Sequence, residues 1–178
     1  LFWRLYPQAS GEYFKRNKDL FSPDLVDDLN AKLDLGKISR AEFFTSLAAV
    51  AGITAESIQS EIDPLLEPDL ALVGLIKELK PSYKIGLLSN AGQEEIEVVY
   101  RDGIGSLFDI TAISYEVGDV KPNPGIFVTC AQRLEIQPPD CLFVDDSMAN
   151  IEAAQGVGMQ ALHYPNFGVI PSALSELA

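Results

Sequence analysis

Two rhythms of apolar residues divide this chain, and the change falls near Pro64–Pro68. In segments 22–34, 39–51 and 54–62 the apolar positions recur at spacings of three and four, the repeat of an amphipathic helix. Ser22-Pro23, Ser39 and Thr54 stand at their starts, with Asp24, Glu42 and Glu56 soon after. Short oxygen-bearing side chains there accept hydrogen bonds from the first unpaired backbone N–H groups of a helix. Gly36 and Gly52 stand at the expected stops, where the backbone can turn left-handed without steric cost. The pattern predicts a small helical lobe.

After Pro68, apolar runs alternate with helical segments. Helix Asp69–Leu79 leads into the run Tyr83–Leu88, and the polar helix Gln93–Tyr100 into Ile110–Val117. Helix Pro124–Leu134 precedes Cys141–Val144, and Met148–Gly156 precedes Met159–Tyr164. Runs without strict alternation are what parallel strands buried on both faces require. Strand–helix alternation predicts an α/β fold in three layers, with right-handed crossovers. Ligands bind such sheets at the carboxyl ends of the strands. The residues after Leu88, Val117 and Val144 therefore carry the chemical interest.

Ser89-Asn90-Ala91-Gly92 follows the first run and suits either an anion cradle or a plain helix N-cap. After the second run, Pro122 and Pro124 flank Asn123 and stiffen a loop holding Lys121. A fixed ammonium beside an anion cradle would neutralise phosphate oxygens; a lysine that is merely solvated is the alternative. After the third run come Asp145-Asp146-Ser147 and then Asn150. Adjacent carboxylates leaving a buried strand are costly unless a cation or a lysine compensates them, although an acidic helix start reads similarly. Magnesium takes one or two carboxylates plus phosphate and water, so one aspartate could hold the metal while the other fixes Lys121.

Charge and composition narrow the partners. Among 178 residues, 26 acidic against 13 basic side chains give a formal net charge of −13. Such a surface repels phosphate backbones and anionic membranes, so neither nucleic acid nor membrane is expected as a partner. No apolar run approaches the ~18 residues that cross a bilayer, and LFWRLYPQAS is not a secretion signal. A soluble, cytoplasmic protein is the expectation. Cys130 and Cys141 make neither a disulfide framework nor a zinc site, and read as small buried hydrophobes in a reducing compartment. His163 is the one histidine and reads as a strand-end residue without a catalytic task.

Taken in order at strand ends, these segments resemble the haloacid dehalogenase (HAD) superfamily of phosphotransferases. LLSN at 87–90 resembles its second motif, KPNPGIF at 121–127 its third, and FVDDSMANIEAAQGVGM at 143–159 its fourth. The resemblance implies a Rossmann-like core over 67–178 with a helical cap over 10–66, and a linker or flap over 1–9 behind a missing first strand. It implies catalytic roles for Ser89 and Lys121: Ser89 and the Asn90 backbone hold the transferring phosphoryl group, and Lys121 neutralises it. Asp146 would ligate magnesium, with Asp145 pairing to Lys121 or supporting the metal shell. Asn150 stands where many relatives carry a second acidic residue, so no direct metal role is expected of it. The implied activity is magnesium-dependent hydrolysis of a small phosphorylated metabolite through an aspartyl phosphate.

The family's first motif, Asp-x-Asp-Gly-[Thr/Val]-Leu, supplies the attacking aspartate, and no such motif occurs here; the first aspartate is Asp19. The chain begins with leucine rather than methionine. The expectation is that the nucleophile lies just upstream of Leu1, and that a chain literally beginning there has no turnover. A missing middle strand would leave unpaired edges on its neighbours. Two further readings compete. The absent motif supports a non-catalytic binding or scaffold protein on the same fold. A 2-haloacid dehalogenase expels halide without magnesium, and the pair Asp145-Asp146 argues against it. Trp3, Tyr6, Tyr13 and Phe14 are candidates for the site entrance or for core packing.

Overall fold

The computed structural model describes residues 2–3, 9–63, 68–101, 103–165 and 172–176. Helices α1 (Ala9–Arg16), α2 (Pro23–Asp34), α3 (Arg40–Ala51) and α4 (Ala55–Ile62) build the helical lobe. The expected caps form. The Ser22 and Thr54 hydroxyls accept from the backbone N–H groups of Leu25 and Ser57. Ser39 and Glu42 bond each other's backbone N–H reciprocally, at 3.2 and 2.8 Å. Gly52 closes α3 at φ +66°, donating to the Ala48 carbonyl. Helix α1 goes beyond the segments predicted, because Tyr13 and Phe14 supply its buried positions within an otherwise polar stretch.

The lobe buries a cluster of its own, formed by Tyr13, Phe14, Phe21, Phe43, Phe44 and Leu47 with neighbouring aliphatics. The Tyr13/Phe14 and Phe14/Phe21 rings meet edge to face at 5.4 Å between centroids, the arrangement aromatic quadrupoles favour. Tyr13 and Phe14 are therefore core residues of the lobe. Leu1, Tyr6 and the boundary positions 64–67 lie outside the described residues, as does the Trp3 side chain.

Five described strands form one parallel sheet: β1 (Phe2–Trp3), β2 (Gly86–Ser89), β3 (Ile110–Ile113), β4 (Leu142–Asp145) and β5 (Gln160–His163). Their order is β3-β2-β1-β4-β5. Consecutive strand residues enter opposite cores. Leu87, Ile113 and Val144 pack with α5 (Leu70–Leu79) and with Ile96 of α6 (Gln93–Arg101). Leu88, Ala112 and Phe143 pack with α8 (Pro124–Leu134) and α9 (Met148–Gly156). Burial on both faces is why these runs lack a polar alternation. The result is the three-layer α/β sandwich.

Two features depart from the sequence expectation. The run Ile110–Val117 is strand only through Ile113; Ser114–Val117 form a helical turn, α7. Gly118 at φ +73° ends that turn by donating to the Ser114 carbonyl at 2.8 Å, so Lys121 reaches the site from beyond α7 and not directly from a strand. Phe2–Trp3, within the stretch read as a linker, occupy the middle of the sheet. Phe2 is in register with Gly86 on one side and Phe143 on the other, and Trp3 with Leu87. The strand order reverses at β1, the topological switch point where α/β sheets hold ligands.

Candidate active site

The carboxyl ends of β2 and β4 lie on either side of β1, and Lys121 reaches both. Its side chain is buried, and its ammonium donates to Asp145 Oδ2 at 2.6 Å and to the Leu88 carbonyl at 3.3 Å. Leu88 immediately precedes Ser89, and Asp145 immediately precedes Asp146. Lys121 thus ties together the two segments that the sequence singled out. Its Nζ also lies 5.6 Å from the centre of the Phe143 ring, on β4.

The loop holding Lys121 is fastened at both ends. Asn90 clasps the lysine backbone: its Oδ1 accepts from the Lys121 N–H at 2.8 Å, and its Nδ2 donates to the Lys121 carbonyl at 3.0 Å. The Lys121-Pro122 peptide is cis. Asp119 Oδ1 accepts from the Val120 N–H at 3.0 Å and from Asn123 Nδ2 at 2.8 Å, which closes the loop upon itself. The Asn90 side chain is therefore occupied in joining the two loops. Ser89 Oγ lies 3.5 Å from the Asn90 carbonyl, at the outer limit of hydrogen bonding.

Asp145 is the most enclosed member. Oδ2 takes the lysine, while Oδ1 accepts from the Ser147 N–H and from Asn150 Nδ2, each at 2.9 Å. Burial alone would push this carboxyl up; the Lys121 ammonium, with the bonds from Asn150 and Ser147, outweighs it and holds Asp145 below the usual carboxylate range. Asn150 is buried and directed at Asp145, a supporting role that the motif pattern did not reveal. His163 also belongs here. Its Nε2 lies 2.9 Å from the Asp146 carbonyl, an acceptor only, so the ring proton sits on Nε2. The register Asp145↔His163 across β4 and β5 brings that about, and no sequence spacing announces it.

Among the described residues no group of three or more His, Cys, Asp or Glu side chains is arranged to hold a metal ion. Asp145 and Asp146 nonetheless supply hard oxygen donors of the type magnesium takes, since that ion needs one or two carboxylates and completes its shell with phosphate and water. Asp146 is partly exposed at the strand exit, while three of the roughly four lone-pair sites on Asp145 already accept hydrogen bonds. The chemistry of these two donors is of the kind magnesium takes.

A family model described as haloacid dehalogenase-like hydrolase matches residues 5–158. The bifunctional riboflavin kinase/FMN phosphatase of Arabidopsis thaliana is 34% identical over 95 residues, 52% of this chain and 25% of that protein. The D-ribitol-5-phosphate phosphatase of Bacteroides thetaiotaomicron is 28% identical over 145 residues, covering 76% of this chain and 70% of that one. The chain thus spans only about a quarter of the Arabidopsis relative. The structure of a HAD family enzyme from Bacteroides thetaiotaomicron, in complex with magnesium and inorganic phosphate, superposes with a TM-score of 0.73 at 26% identity. The match covers 96% of this chain and 92% of that structure. With the family model extending from the residues after β1 through α9, this chain belongs to the haloacid dehalogenase-like hydrolases.

Proposed function

We propose that this protein hydrolyses the phosphate monoester of a small polyhydroxylated metabolite, with magnesium bound. The observation that carries the reading is the buried Lys121 ammonium, bonded between the β2 end and Asp145. In this reading the Ser89 hydroxyl and the Asn90 N–H hold the phosphoryl oxygens, and Lys121 offsets their charge as it builds in the transition state. Asp146 holds the metal, and Asp145 fixes Lys121. Magnesium, when bound, neutralises phosphate oxygens and orients the ester. A carboxylate attacks phosphorus, the P–O bond to the metabolite breaks and releases its alcohol, and water then cleaves the aspartyl phosphate to free phosphate. The helical lobe closes over the ester and excludes water.

The names of two relatives bear on the substrate. FMN and D-ribitol 5-phosphate both carry phosphate on the terminal carbon of a ribityl chain. Both relatives support a substrate with its phosphate on a primary carbon of a sugar or polyol.

The test is phosphate release by the full-length protein from p-nitrophenyl phosphate and D-ribitol 5-phosphate, with magnesium and then with EDTA. Release that needs magnesium and is lost in Asp146→Ala is expected. Turnover untouched by Asp146→Ala removes that residue from the mechanism. A second reading, a phosphate-binding protein without turnover, draws on the residues after Trp3, Arg4 and Leu5, neither of which is a carboxylate. Phosphate binding without any release from either ester would favour it.

A further inference from the structure

Ser114, at the junction of β3 and α7, is 0% exposed, yet its hydroxyl serves backbone groups from two distant segments. It accepts from the Ala91 N–H at 3.0 Å, in the loop that continues from Ser89 and Asn90. It donates to the carbonyl of Asp34, the last residue of α2 and 80 positions away in the helical lobe. The Ala91 carbonyl lies 3.2 Å from the same oxygen. A hydroxyl has one proton, so the two carbonyls compete for it. Beside this contact the lobe presses on the core: Gly36 sits at φ +65°, and a Cβ placed there would lie 3.3 Å from the Cβ of Tyr115.

We propose that Ser114 is a positioning residue that sets the phosphate-holding loop and the docked helical lobe together. The inference rests on the phosphatase reading, in which Ser89 and Asn90 hold the phosphoryl group. With the lobe docked, the Ser114 proton lies on the Asp34 carbonyl. With the lobe withdrawn, the hydroxyl rotates to the Ala91 carbonyl, so no buried donor is orphaned in either state. In both states Ser114 still accepts from the Ala91 N–H, and the loop keeps its place while the lobe moves. Tight contact at Gly36 gives the docked state a defined stop.

Hydrogen exchange and calorimetric binding of inorganic phosphate, both with magnesium, test this on the full-length protein. Ser114→Ala should speed exchange at Ala91 and in the last turn of α2, and weaken phosphate binding roughly 2- to 10-fold, the range of one lost hydrogen bond. Ser114→Thr, which keeps the hydroxyl, should restore both. Gly36→Ala disturbs the lobe side alone, so α2 should exchange faster while Ala91 stays protected and phosphate affinity is unchanged. Unaltered phosphate affinity in Ser114→Ala, where the parent binds, overturns the proposal. So does equal exposure of Ala91 in Gly36→Ala. Should Ser114→Ala fail to fold, the other two variants decide. A parent that binds no phosphate defeats the phosphatase reading instead, and the exchange pattern still judges the Ser114 link.

Discussion

Lys121 and Asp145 form an ion pair of 2.6 Å whose side chains are 3% and 0% exposed. Both charges have left water, at a desolvation cost that their attraction offsets only because further groups bond them. Asn150 and the Ser147 N–H serve the carboxylate, and the Leu88 carbonyl serves the ammonium.

Breaking this pair from one side strands a buried charge. Lys121→Met or Asp145→Asn alone should each cost about 3–5 kcal/mol. The double variant should lose clearly less than the sum, because neither partner is then left charged and alone. Urea denaturation of the four proteins gives the coupling energy; simple additivity would show that the pair is not a unit.

Acid should undo part of this stability. The Asp145 carboxyl lies lower in the folded protein than its unfolded value of about 3.9. The unfolded chain therefore binds the proton first, and the contribution is fully present above that value. It is lost as pH falls through the folded pKa. Unfolding free energies measured from neutral to about pH 2.5 should fall more steeply for the parent than for Asp145→Asn. Parallel curves would count against the shift.

Gly125 opens α8 directly against the loop of Lys121. A Cβ there would meet Asp119 Oδ2, and Asp119 holds the loop through Val120 and Asn123. Gly125→Ala should cost about 1–3 kcal/mol, the usual penalty of overpacking, and should weaken phosphate binding as the Asp119 contacts shift. Thermal unfolding and phosphate calorimetry read the two effects separately.

Asp69 joins the start of α5 to the segment after β5. Its Oδ1 accepts from the Ala71 and Leu72 N–H groups, and its Oδ2 accepts the Tyr164 hydroxyl proton at 2.8 Å. Tyr164→Phe leaves a buried carboxylate short of one donor and should cost about 1–3 kcal/mol. Asp69→Ala should cost more, since the helix cap goes as well. Equal losses would mean that the cap contributes little.

Much of this arrangement is legible in the residues because local chemistry writes it there. Ser39 with Glu42, Thr54 and Gly52 mark helix ends through contacts within four positions. Leu87-Leu88 and Phe143-Val144 betray a sheet covered on both faces because each neighbour needs its own core. What the sequence conceals depends on register between distant segments. His163 meets the Asp146 carbonyl because β5 pairs with β4, and Ser114 meets Asp34 because the lobe docks there. The run Ile110–Val117 reads as one strand because composition does not register the left-handed Gly118 that ends a turn inside it. The place of Phe2–Trp3 also depends on register, with Gly86 on one side and Phe143 on the other.

Lys121 has a structural task as well. In the described sheet, β1 lies between the pair β3-β2 and the pair β4-β5. The lysine bridges the strands on either side of β1, bonding the Leu88 carbonyl of β2 and Asp145 of β4. It is a rivet across the middle of the sheet. Evolution toward a different chemistry at this site would therefore find the lysine hard to discard, because loosening it unfastens the floor on which any new site would stand.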